Sequence, residues 1–186
     1  MELEPMASRQ FTSREEGYDM KRVFAVGRGF DNGFAPQSLS RLKNVLLYIL
    51  SRCGEQFCTK MNKMLFYADY LAYRRMSRAI SGLSYRAIAY GPVPERWDRI
   101  YSQFNDVVME PRNLGDFEGV VLVPKADPDM SMFSEREISV LNDVCERFWG
   151  SSSREMSELS HEELAWIDSY KDQRRLSFDY AFDLKA

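Results

Sequence analysis

The chain has 186 residues, 45% of them hydrophobic and 28% charged, and a formal net charge of −3. That composition fits a globular chain with one core of ordinary size, or a domain plus a tail. No apolar run approaches the roughly 20 residues that span a bilayer, and MELEPMASRQ lacks the basic start and apolar stretch of a signal peptide. Cys53, Cys58 and Cys145 form an odd set without a secretion signal, which indicates reduced thiols and a cytoplasmic setting. Charge is unevenly spread. Leu39 to Tyr101 hold 11 Lys/Arg against 4 Asp/Glu, and Ser102 to Ala186 hold 9 against 18. The two halves either fold against each other and neutralise, or present two poles to charged partners.

Residues 1 to about 37 show no sustained helical period and read as an N-terminal arm, with Arg22 to Val26 as a possible short strand. Gly27-Arg28-Gly29 is not a dinucleotide loop, because G-x-G-x-x-G needs a glycine where Asn32 stands. Phe11, Phe24, Phe30 and Phe34 make the arm rich in aromatics for a passive tail, so it docks on its own domain or on a partner. Leu39, Leu42, Val45, Leu46, Ile49 and Leu50 recur at helical spacing, with Gly54 as the C-cap. Thr59 is placed to cap the next helix. That helix carries two apolar stripes. One is Met61, Met64, Leu65, Ala68, Leu71 and Ala72; the other is Phe66, Tyr70 and Tyr73. A helix apolar on two sides is central to its domain, unless the aromatic stripe is a docking face.

Ser81-Gly82 ends this unit, and Tyr85 to Tyr90 reads as a strand stopped by Gly91-Pro92. Val93 to Phe104 reads as a helix with Trp97, Ile100 and Tyr101 inward. Val107–Met109 and Gly119–Val123 read as strands that join Tyr85–Tyr90 in a small antiparallel sheet. Three S-x-x-E boxes then mark helix starts: Ser134–Glu137, Ser152–Glu155 and Ser160–Glu163, the last with Leu164, Trp166 and Ile167 following. Leu176, Phe178, Tyr180, Phe182 and Leu184 alternate like a strand, while Ser177 offers a cap for a helical turn. The fold class is α+β and mainly α-helical: a compact helical domain with a small antiparallel sheet or hairpin.

Chemistry finds little foothold. His161 is the sole histidine; His161-Glu162-Glu163-Leu164-Ala165 has Ala165 where a zincin helix needs its second histidine. Cys53 and Cys58 have no second ligand pair for zinc. A Cys145–His161 dyad is the one arrangement open to a hydrolase, although Cys145 lies on an apolar helix face where cysteine acts as a small hydrophobe. Arg74, Arg75, Arg78 and Arg86 form a basic cluster beside tyrosines, but no nucleic-acid-binding signature accompanies them. A solvated helix end, or a patch facing an acidic protein surface, accounts for it better.

Lys63-Met64-Leu65-Phe66-Tyr67-Ala68, then Ile80-Ser81-Gly82-Leu83, then Tyr85 to Val93 ending in Tyr90-Gly91-Pro92-Val93, resemble in this order the Panacea or SocA-like antitoxin domain of phage-associated, GepA-type proteins. Phe133-Ser134-Glu135-Arg136-Glu137 with Leu141 and Val144, and Leu159-Ser160-His161 with Trp166, resemble its later signatures. Ala165 stands where the family often has proline before the tryptophan, which softens the turn there. The resemblance spans roughly residues 39 to 184, which sets an arm at 1–37 apart from a domain at 38–186. It implies an antitoxin that binds and occludes a cognate protein toxin encoded nearby, without catalysis, cofactor or metal. The motif residues Tyr67, Tyr90, Gly91, Pro92, Val93, His161 and Trp166 are expected as framework. Phe24, Phe30 and Phe34 of the arm and Arg74, Arg75 and Arg78 are expected as partner contacts. The alternative of another class is a phage or prophage adaptor that delivers a client to a protease or other complex; a cysteine hydrolase is the third.

Overall fold

The structure, a computed structural model, describes residues 20–115 and 117–185. Most of the expected arm, including Phe11, lies outside the described residues. What is described of it begins as a helical turn at residues 20–23, where a strand was expected, closed by the Phe24 N–H donating to Met20 O at 2.8 Å. Val23 and Phe24 are buried in the core, so apolar contact decides this segment, not strand pairing.

Helix α1 (Leu39–Cys53) starts at Ser38, whose hydroxyl accepts from the Arg41 N–H, and ends at Gly54 with φ 74°. Its apolar stripe is buried as the spacing predicts. After the short strand β1 (Gln56–Phe57) comes α2 (Cys58–Met76), the axis of the molecule. Phe57 takes the N-cap position without a side-chain bond, so Thr59 is inside the helix and does not cap it. Every residue from Lys60 to Ala72 is buried. Both stripes are therefore core. Phe66 and Tyr70 pack at 4.3 Å between centroids, and Tyr70 stacks on Phe178 at 4.5 Å. Such ring pairs add roughly 0.5–1.5 kcal/mol each beyond the area they bury.

The β structure divides into two sheets, not one. β2 (Tyr85–Ile88) pairs only with β3 (Gly91–Pro94), in register Tyr85↔Pro94 to Ile88↔Gly91. A sequence with two prolines reads as a strand breaker, yet here it lies against one partner and the face of α2. The other edge of β2 is taken by the C-terminal segment, through Leu176 N–H to Tyr85 O at 2.9 Å and a bridge between Arg86 and Arg175. The second sheet has order β1-β5-β4, with β4 (Val107–Leu114) and β5 (Phe117–Pro124) antiparallel and longer than expected.

Because Val93 and Pro94 are strand, the next helix shrinks to α3 (Trp97–Ile100) with a 3₁₀ turn at Tyr101–Gln103. Ile100 and Tyr101 are buried, but Trp97 is 42% exposed, not inward. Helices α4 (Glu135–Phe148) and α5 (Ser153–Ser160) start at their capping boxes, with Ser134 paired to Glu137 and Ser152 to Glu155. The third box does not form. Ser160 ends α5, its hydroxyl donating back to Ser157 O at 2.9 Å, and α6 (Leu164–Tyr170) begins after Glu163. Leu164 and Ile167 are exposed on α6, so its apolar face points outward. The alternating C-terminus resolves as a 3₁₀ helix, Phe178–Asp183, capped by Ser177. The fold is α+β and mainly helical, as the sequence indicates.

Candidate functional site

The family-like segments meet at Gly91. Its φ of +106° is a conformation L side chains rarely adopt, and a Cβ there would run into Ser160 Oγ and stand 3.0 Å from Lys63 Cε. Only glycine lets α2, the β2–β3 turn and the end of α5 approach this closely. Lys63 occupies the centre of that approach and is 1% exposed. Among the described residues it has no hydrogen-bond acceptor and no carboxylate partner. Burial alone pushes its ammonium down to about 8.

His161 forms the next wall. Its ring stacks on Trp166 at 4.1 Å, and Trp166 stacks on Tyr170 at 4.5 Å. The indole N–H of Trp166 donates to Ile88 O at 2.8 Å, so this stack clamps the β2–β3 hairpin. His161 bonds the backbone at Ala89, and its Nε2 is buried without a partner. Burial lowers the imidazole below its ordinary value, and Lys63 adds to that. Beside the seam opens a cleft of about 810 Å³ between the start of α2 and the start of α5. Phe57, Thr59, Lys60, Ser153 and Ser157 line it, and Tyr90, 72% exposed, stands at its rim. Ser153 Oγ is buried there without a partner.

The remaining motif residues are structural in their contacts. Tyr67 is buried and its hydroxyl donates to Glu163 Oε1 at 3.2 Å; burial and Glu163 push the phenol far above its ordinary value. Glu163 also accepts from the Lys185 N–H at 3.1 Å, which ties the C-terminus to α2. Pro92 and Val93 are buried in β3. Of the two buried acids that hold the fold together, Asp69 is not singled out by the sequence, and Glu163 is read there as the end of a capping box, where the structure makes it the N-cap position of α6 and the acceptor for Tyr67. The only local signal for Asp69 is a charge within an otherwise apolar face.

The residues expected as contacts divide. Phe24 is 7% exposed and belongs to the core. Phe30 and Phe34 are exposed and meet edge to face at 6.4 Å. The Ala79 N–H donates to Gly33 O at 2.8 Å, which sets this aromatic turn beside Arg78. Arg74 donates to Leu184 O at 2.9 Å, Arg75 pairs with Asp143, and Arg78 stands 4.0 Å from Glu137. These arginines thus tie the end of α2 to α4 and the C-terminus.

Cys145 and His161 share no contact. Cys145 faces Cys53, and His161 faces Ala89, Lys63 and Glu158. The contact with Cys53, together with burial, pushes the Cys145 thiol far above its ordinary value, the reverse of an activated nucleophile.

The fold is a mainly helical α+β domain whose β2–β3 hairpin is clamped by the stack of His161, Trp166 and Tyr170. The chain is a member of the family described as Antitoxin SocA-like, Panacea domain, whose model matches residues 61–167. The match begins in α2 and ends in α6, so it contains every side chain around Gly91 and leaves out α1. No curated protein and no solved structure matches the chain.

Proposed function

We propose that the protein is an antitoxin that binds a cognate protein toxin directly and covers its working surface. The family membership carries this reading. Its contact surface is the patch where the two expected groups adjoin, Phe30 and Phe34 from the arm with Arg78 from the end of α2. Aromatic rings flanked by arginine are the side chains that dominate protein interfaces. Rigid supports hold the patch: the Arg28 Nε donates to Phe34 O at 3.0 Å, and Asp31 pairs with Arg175 at 3.0 Å. No catalytic step is invoked; the protein acts in the cytoplasm by occupying its partner.

The test is co-expression with the product of the adjacent gene. The reading expects that product to arrest growth alone, to be harmless with this protein, and to co-purify with it. A neighbour that is harmless alone, or toxic in both cases, overturns it. Replacing Phe30 and Phe34 together by alanine is expected to abolish rescue while leaving the fold intact.

A further inference from the structure

Helices α1 and α4 lie side by side, and the contacts between them form a ladder that ends in sulfur. Arg41 pairs with Glu137 at 2.6 Å, and the Tyr48 hydroxyl donates to Asn142 Oδ1 at 2.7 Å. Cys53, the last residue of α1, is the next rung, and it faces Cys145. The Cys53 thiol lies 3.9 Å from Cys145 O, and the two thiols are in hydrogen-bond contact with each other. Residue numbers climb together along both helices, so the two polar rungs fix the register that brings the sulfurs together. They come from positions 92 residues apart in the chain.

The two sulfurs have different surroundings. Cys145 is 3% exposed, whereas Cys53 is half-buried at the helix end. The contact with Cys145 lowers the Cys53 thiol below its ordinary value, and Lys60 and Arg52 nearby add to that against the effect of burial. The same contact keeps Cys145 protonated. A cleft of about 400 Å³, lined by Ser51, Arg52, Glu146 and Trp149, opens on Cys145 and admits a small molecule. Cys58 is the contrast. Burial pushes its thiol up to about 11, and among the described residues it contacts no second cysteine.

A thiol favoured as the thiolate, a second thiol in contact with it and an approach for a small oxidant are the parts of a disulfide-forming site. We propose that Cys53 and Cys145 are a peroxide-oxidised pair that closes to a disulfide and ties the end of α1 to α4. The Cys53 sulfur attacks an oxygen of a hydroperoxide, the O–O bond breaks, and the leaving hydroxide or alkoxide takes up the thiol proton. Cys53 is then a sulfenic acid. The Cys145 sulfur attacks it, the S–S bond forms, the S–O bond breaks, and the Cys145 proton leaves with the hydroxyl as water. Each sulfur gives up one electron, and the peroxide takes both. Where the surroundings are reducing, such a bond is a transient response to oxidant rather than a fixed staple.

The test is hydrogen peroxide added to the purified, fully reduced chain, followed by thiol counting under denaturing conditions and by peptide mass mapping. Free thiols are expected to fall from three to one, with a single Cys53–Cys145 cross-link that dithiothreitol removes. The oxidised chain is expected to melt about 5 °C or more above the reduced one, because the bond closes a long loop. Cys145→Ser is expected to stop at the Cys53 sulfenic acid, which dimedone captures, and Cys53→Ser to give neither product. Three thiols that survive peroxide, thiols lost without a disulfide, a cross-link through Cys58 or between two chains, or an oxidised chain that melts no higher than the reduced one would overturn the pair. The map of the unaltered chain decides the pairing even where a variant fails to fold. None of these readouts depends on toxin binding, so the pair and the antitoxin reading stand or fall separately.

Discussion

Helix α2 buries Lys60, Lys63 and Asp69, and the protein treats the last two, of opposite charge, differently. Asp69 is enclosed by donors: the N–H groups of Ile80 and Ser81 at 2.8 Å each, the Tyr85 hydroxyl at 2.6 Å, and the Ser81 hydroxyl. Lys63, less than two turns earlier, has no such shell. The satisfied charge organises the chain that follows it, because it fixes the Ile80-Ser81-Gly82-Leu83 bend and anchors β2 through Tyr85. The unsatisfied charge organises nothing. It is held in place by Gly91 and by the stack of His161 on Trp166, and it costs stability. A buried polar group that is fully bonded marks architecture; one left open is a cost that the rest of the fold carries.

The comparison breaks first at Asp69. Asp69→Ala leaves two backbone N–H groups and two hydroxyls without their acceptor, and a loss of about 3–5 kcal/mol is expected in urea denaturation. A loss below about 1 kcal/mol would mean the shell is incidental. Lys63→Met is expected to act the other way, raising stability at pH 7 by about 3 kcal/mol. The sign follows from the titration. Lys63 is depressed to about 8 in the folded chain and has an ordinary value of 10.5, so between those pH values the unfolded chain binds more protons. Wild-type stability therefore gains as pH rises through this window, and the advantage of the methionine variant shrinks from pH 8 and vanishes above 10.5.

Smaller effects sharpen the seam itself. Gly91→Ala combines a positive φ of +106° with a clash at Ser160 Oγ, and a loss of about 2–3 kcal/mol is expected in the same denaturation experiment. Trp166→Phe keeps the stack but removes the indole bond to Ile88 O, for about 1 kcal/mol and faster amide exchange in the β2–β3 hairpin.

Much of this architecture is legible in the sequence because local rules hold. Ser38, Ser134 and Ser152 cap where their spacing places them, and the double stripe of α2 is buried on both sides. The errors fall where a distant contact overrides a local preference. Ser160 has the spacing of a capping residue, but its neighbourhood is claimed by Lys63 and Gly91, so α6 begins later. Pro92 and Pro94 look incompatible with a strand, yet β3 needs only one partner. Trp97 turns outward because the strand ends later than its apolar pattern suggests. The site is less legible than the fold. Lys63 appears in the sequence as one charge among many, and nothing local distinguishes a lysine that reaches into water from one packed against Gly91. Only burial and the absence of a partner separate them, and both are properties of the assembled chain.

The direct measurement is the pKa of the Lys63 ammonium, followed by heteronuclear NMR of the side chain in the intact, ligand-free protein. A value near 8 in the free protein is what a buried cation without a partner requires. A value at or above 10.5 in the free protein would show that Lys63 is already solvated or paired, and the contrast with Asp69 would fall.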